Sequence, residues 1–214
     1  MVLSTLIALP IAIGSAIFAV EIRPKFGSKI FQPLIELLTG IPSVVFGLIG
    51  FHVVVGLMKS VFHVSTGLGI LPGAIVLAVM ILPIITSMSR DIFLQTPRLQ
   101  EEAALALGAT KWEMVKLAVL PFGKSGVVSA SMLGLGRALG ETMAVLMILS
   151  PGLNYSVKLL QASQNQTIAA NIAAQYPEAN DLGVSVLIGT GLVLFLITFV
   201  VNFIARKLTE KASV

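Results

Sequence analysis

Two opposite charges stand inside an otherwise apolar run. They are Arg137 and Glu141, in Gly134-Leu135-Gly136-Arg137-Ala138-Leu139-Gly140-Glu141-Thr142-Met143-Ala144-Val145. Residues four apart share one face of a helix, so a continuous helix predicts an ion pair between them. A lone arginine at mid-bilayer costs roughly 2.5–3.5 kcal/mol on insertion scales, and charges kept at that depth usually face a partner or a polar cavity. Two compatible readings follow. The pair locks two helices together, or Arg137, Glu141 and the adjacent Thr142 line a polar path through the membrane. Gly136 and Gly140 form a Gly-x-x-x-Gly step, which predicts close packing of another helix there.

Other candidates are weaker. Residues 118–125, Ala-Val-Leu-Pro-Phe-Gly-Lys-Ser, fit a relaxed nucleotide-loop pattern with Ala118 in place of the first glycine. A phosphate-cradling loop follows a buried strand, whereas a helix and Leu-Pro precede this one, so the match reads as chance and Lys124 as a span-end marker. His52 reads as a satisfied helix–helix histidine, and His63 sits at a span edge. The eight Met are scattered. No metal-ligand cluster and no nucleophile–base pair falls in an apolar run, which disfavours a membrane-embedded enzyme.

The elements that must position these residues are set by composition. The chain has 214 residues, 11% charged and 56% hydrophobic, with no Cys. Soluble domains carry about 25% charged residues, so a soluble globular enzyme is excluded, and so is a disordered chain. Disulfide frameworks and cysteine-based zinc or iron–sulfur sites are excluded outright. About 20 apolar residues cross the hydrocarbon core as a helix. Five stretches qualify, at about 1–20, 37–58, 70–89, 125–150 and 182–205. Backbone polar groups in lipid must be satisfied within the segment, so an all-α polytopic membrane protein is predicted.

Five spans alternate the loops between two sides. Eleven of the fourteen basic residues fall on one side, in 21–30, in 90–124 and after 205, against Lys59 and Lys158 on the other; Arg137 lies within a span. This predicts that the 90–124 loop and the C-terminus are cytoplasmic. Nucleic acid is not an expected partner, because the basic residues border apolar runs rather than forming one patch. The chain opens directly on an apolar run with no basic region before it, so a cleaved signal peptide is a poor reading. An earlier span, missing from this chain, is expected instead.

The 90–124 loop has structure of its own. Pro97 can open a helix. Glu101 and Glu102 suit the positive end of its dipole, and residues 102–107 favour helix. Gly108 permits a sharp turn. A second helix over Lys111–Val119 is predicted to end at Leu120-Pro121. Trp112 is a membrane anchor or a docking contact. The external loop, 151–181, is rich in Asn, Gln and Ser, with a short helix expected over Thr167–Gln175. Its Asn165-Gln166-Thr167 triplet fits a glycosylation acceptor but is uninformative.

Glu102-Ala103-Ala104, then Gly108, then Leu120-Pro121 resembles the EAA loop of ABC importer permeases, with Ala118 where that family usually has Ile. Residues 136–145, Gly-Arg-Ala-Leu-Gly-Glu-Thr-Met-Ala-Val, look like a segment of the phosphate-importer branch. So do residues 41–47 and Arg90-Asp91-Ile92-Phe93. The likeness covers essentially all of the chain. It implies a type I, MetI-like permease fold in the plasma or inner membrane. It implies Glu102, Ala103, Ala104, Gly108, Leu120 and Pro121 as the ATPase-coupling residues. It also implies a second permease subunit, two ATPase subunits and an external phosphate-binding protein that meets the 151–181 loop. This chain would hold no cofactor, since ATP and magnesium belong to the ATPase. Phosphate then gives Arg137 a task, because a guanidinium fork matches phosphate oxygens, and Glu141 would hold it in place. Sulfate or molybdate transport, or a non-transporting membrane scaffold, are the alternatives.

Overall fold

The structure, a computed structural model, describes residues 1–64, 66–149 and 166–212, the side chains of 26–28 and 208–212 apart. Ser150, Lys158, Asn165 and the 151–165 part of the predicted external loop lie outside the described residues. Every regular element among the described residues is helical. Five helices are long and apolar enough to cross a membrane: Val2–Ile22, Ser43–Phe62, Ile70–Phe93, Lys111–Leu139 and Asp181–Lys207. We call them spans one to five.

Two spans differ from the sequence reading, each for a local reason. The predicted 37–58 span is two helices. Gln32–Gly40 ends at Ile41-Pro42, and a new helix starts at Ser43. Pro42 has extended geometry (φ −58°, ψ 141°), and proline disfavours a helical residue before it, so the chain breaks here rather than kinking. Glu36 therefore lies on a separate lead-in helix.

The predicted 125–150 span differs at both ends. It starts earlier, because the second loop helix does not stop at Leu120-Pro121. Residues Val115–Val119 form a π-helical turn, in which Leu120 N–H donates to the Val115 carbonyl. Pro121 follows inside the next helix, Leu120–Leu139. The wider turn changes the hydrogen-bond register just before the proline, and its missing N–H leaves no break. The helix then ends early, at Leu139. Gly140-Glu141-Thr142 is non-helical, and a short helix, Met143–Ile148, follows.

The chain forms two compact units. One comprises residues 1–4, 41–80 and 135–201. Here span two packs on the Met143–Ile148 helix through glycines. A Cβ on Gly47 would stand 2.8 Å from Ala144 Cα, and one on Gly50 would stand 3.1 Å from Ile148 Cδ1 and also meet Val76 of span three. Missing side chains let the backbones approach. Ala144, Val145 and Ile148 are buried in that contact region. Gly67, at φ +66°, closes the turn after span two, where a Cβ would meet the Val55 carbonyl oxygen at 2.5 Å.

The other unit comprises residues 5–40, 81–134 and 202–214. Its core holds Ala16, Ile17, Phe93, Met114, Val115 and Val119, with Ala104, Leu120 and Val127 packed against them. Three glycines of span four face span three. Gly123 meets Phe93, Gly126 meets Ile92 and Gly134 meets Ile85, each within 2.7 Å of where a Cβ would sit.

Candidate functional site

The helix break places Arg137 and Glu141 on different elements. Arg137 is in the last turn of span four, and Glu141 lies in the gap before the Met143–Ile148 helix. The predicted i, i+4 ion pair does not form, because no continuous helix joins the two residues. Glu141 is 8% exposed, and its Oε1 accepts a hydrogen bond from Ala144 N–H at 3.2 Å. It caps the start of the short helix, where a negative charge suits the dipole. Arg137 suits the opposite end of span four's dipole. Its guanidinium is exposed and has no hydrogen bond or ion pair with any described residue. Thr142, next in the chain after Glu141, is half-buried.

Among the described residues, no other helix packs against Gly136 or Gly140. Nothing among those residues lies within 4 Å of a Cβ built on Gly136, and only the Gly136 and Arg137 carbonyl oxygens lie that close to one on Gly140. The close helix contacts fall instead on Gly47, Gly50, Gly123, Gly126 and Gly134.

The loop motif forms a built hairpin. Arg98–Ala106 is its first helix, entered from Pro97. Gly108, at φ +87°, closes it. Ala109 N–H donates to the Ala104 carbonyl at 3.2 Å and Gly108 N–H to the Leu105 carbonyl at 3.0 Å. This is the six-to-one and five-to-two bonding of a Schellman stop, which favours glycine at the left-handed position. Thr110 then starts the next helix with a full capping box. Its hydroxyl accepts from Glu113 N–H at 3.3 Å, and its own N–H donates to Glu113 Oε2 at 2.7 Å.

The hairpin presents one face outward. Glu102 and Ala103 are exposed and Ala104 is half-buried. Leu107 is 91% exposed. A cavity of about 540 Å³ is lined by Ala104, Leu107, Gly108, Ala109, Glu113, Lys116 and Leu117. Trp112 is exposed, with the Lys116 ammonium 5.2 Å from its ring centroid. The inner face is anchored. Met114, Val115 and Val119 sit in the core with Phe93 and Ile17, and Lys111 Nζ donates to the Glu21 carbonyl at 3.4 Å. Leu120 and Pro121 begin the long helix of span four. A push on the hairpin therefore meets packed side chains of spans one and three, and runs on as one helix into span four.

One basic residue at the start of the 90–124 loop is buried. Arg90 is 9% exposed, with Nη1 3.1 Å from Asp91 Oδ1 and a buried, unpartnered Nε. The only signal for its burial was its place directly before Asp91-Ile92-Phe93. Residues 118–125 lie in helix throughout, so they form no phosphate-cradling loop. His52 Nδ1 lies 3.1 Å from the Leu48 carbonyl oxygen and the ring is exposed, not packed between helices.

Five apolar spans, with an exposed glycine-stopped hairpin between spans three and four, define a class: an all-α polytopic membrane protein. Residues 8–214 match the family model described as binding-protein-dependent transport system inner membrane component, and the chain belongs to that family. Among curated relatives, the phosphate transport system permease protein PstC 2 of Mycobacterium tuberculosis is 43% identical over 94% of this chain and 68% of its own length. PstC of Xylella fastidiosa (strain Temecula1) is 39% identical over 99% of this chain and 70% of its own. Among solved structures, a chain of the MetNI methionine ABC transporter in inward-facing conformations superposes with a TM-score of 0.69. It is 18% identical and covers 98% of this chain and 88% of that one. The fold is that of MetI-like ABC importer permeases, and the protein is a polytopic protein of the plasma or inner membrane. Membership implies an ATPase and a substrate-binding protein as partners.

Proposed function

We propose that this chain is one transmembrane half of an ATP-driven importer of inorganic phosphate. The observation that carries the reading is Arg137. A guanidinium in an apolar span, at a helix end, exposed and unpartnered, is a strong site for a tetrahedral oxyanion. The relatives named for phosphate transport, at about 40% identity, support phosphate as that oxyanion. Thr142 adds a hydroxyl near the path. Glu141, committed to its cap, limits how tightly an anion settles nearby. Gly136 and Gly140, open within this chain, offer a surface for the second permease subunit.

The division of labour follows from energetics. Drawing a divalent anion inward against 100 mV costs about 4.6 kcal/mol, at about 2.3 kcal/mol per charge. The ATP must be hydrolysed by partner subunits. Glu102, Ala103, Ala104 and Gly108 dock the hairpin into the ATPase, and Leu120-Pro121 carry its movement into span four. A phosphate-binding protein delivers substrate at the opposite face, at the loop ending with the Ile168–Gln175 helix, which Thr167 caps from Ala170 N–H at 3.2 Å.

A guanidinium fits sulfate and molybdate as well as phosphate. Liposomes holding the complete complex are therefore loaded with ATP and offered labelled phosphate with sulfate or molybdate in excess. Phosphate uptake that survives both competitors supports the reading. Uptake lost to sulfate or molybdate reassigns the substrate. Absence of any ATP-dependent anion uptake favours the scaffold.

A further inference from the structure

Beyond the Arg137 region, a second basic feature lies at the far end of span five. A cavity of about 340 Å³ is lined by Ser129, Met132, Asn202, Ala205 and Arg206. Asn202 and Arg206 are four apart and share one helical face. Both side chains are exposed, and neither has a hydrogen bond or ion pair with any described residue. Ser129 faces them from span four, its hydroxyl now donating to the Ser125 carbonyl at 3.1 Å. No carboxylate is among the described lining residues. Met132 and the buried Ala205 make an apolar floor.

An unpartnered amide and guanidinium on a membrane helix need an external partner, since leaving them unsatisfied against hydrocarbon is costly. The surroundings say which partner. Only 6% of the most apolar window of span five is buried within the chain. Phe195 and Phe199, in the two turns before Asn202, are exposed, and so is Phe203. Lys207 lies over the Phe203 ring, its ammonium 5.0 Å from the centroid, an arrangement suited to a helix passing from acyl chains into headgroups. An apolar face running into a basic, amide-bearing notch matches a molecule with acyl chains below a phosphate. We propose that this notch binds the phosphate headgroup of an anionic phospholipid, with Arg206 supplying the charge, Asn202 and Ser129 the hydrogen bonds, and the phenylalanine-rich face the acyl contacts. Basic pockets between membrane helices bind anionic headgroups in this way.

The test is native mass spectrometry of the assembled transporter released from micelles of equal phosphatidylglycerol and phosphatidylcholine. Wild type should retain phosphatidylglycerol selectively. Arg206→Gln should lower that retention about fivefold, the loss of one near-surface cation. Asn202→Leu should lower it as well, in complexes that still elute as one assembled species. Lys207→Gln removes the same charge one residue away and should change retention less than about twofold. Equal losses from Arg206→Gln and Lys207→Gln would mean diffuse surface charge and overturn the site. Unselective retention in wild type, as expected if a partner subunit covers the notch, would overturn it too. Inorganic phosphate added at the lipid concentration should not displace the lipid; displacement would assign the notch to a free anion instead.

Discussion

Gly47 gives the sharpest structural expectation. A Cβ there would stand 2.8 Å from the Ala144 Cα and 3.0 Å from the Met147 sulfur. The first obstacle is backbone, so no side chain can rotate away. Gly47→Ala must therefore move span two and the Met143–Ile148 helix apart by about 0.6 Å to reach ordinary contact, an overpacking cost of about 1–3 kcal/mol. Gly56→Ala is the matched control. It lies on the same span with nothing within 4 Å of its Cβ, so any gain in helix propensity is common to both variants. At about 2–4 °C per kcal/mol for a chain of this size, Gly47→Ala should melt about 2–12 °C below Gly56→Ala. The assay is thermal unfolding of the assembled transporter in detergent, followed by size exclusion. The displaced helix is the one Glu141 caps, so uptake should fall with stability. Equal melting of the two variants would refute the proposed contact between span two and the Met143–Ile148 helix.

Three further expectations follow from the site. Glu141→Ala removes the cap on Ala144 N–H and should cost about 0.5–2 kcal/mol, whereas Glu141→Gln keeps an acceptor and should cost markedly less by the same thermal assay; equal losses would restore the ion-pair role that the helix break contradicts. Gly108→Ala forces a Cβ into left-handed backbone at φ +87°, a strain of about 1–2 kcal/mol, and should lower the transport-linked ATPase rate of the complex while leaving membrane insertion intact. Leu107→Asp places a charge on the outermost apolar side chain of the hairpin, 91% exposed, and should cut copurification of the ATPase subunit at least about tenfold; full copurification would remove this residue from the docking face.

The spans were legible because long uncharged runs have one solution in a bilayer. The hairpin was legible because Pro97 and Gly108 each perform a local task, whereas the Thr110–Glu113 capping box came only with the structure. What escaped was tertiary or a matter of hydrogen-bond register. Pro121 reads as a helix stop, yet the π turn over Val115–Val119 lets the helix pass it. The break at Gly140–Thr142 lies inside an apolar run whose charge spacing suits an unbroken helix equally well. Gly136 and Gly140 carry the motif, while Gly47, Gly123 and Gly134 carry the close contacts, because which glycine meets a neighbour depends on helix rotation. Arg90 at a span end reads as an interfacial cation, and only the folded chain buries it.

The central claim is that the free Arg137 guanidinium receives the anion. Arg137→Gln removes one charge-assisted contact worth about 1.5–3 kcal/mol, so ATP-dependent phosphate uptake by liposomes holding the assembled variant should fall about 10- to 150-fold. Arg137→Lys should recover part of it. Wild-type uptake by a fully assembled Arg137→Gln complex would contradict the account.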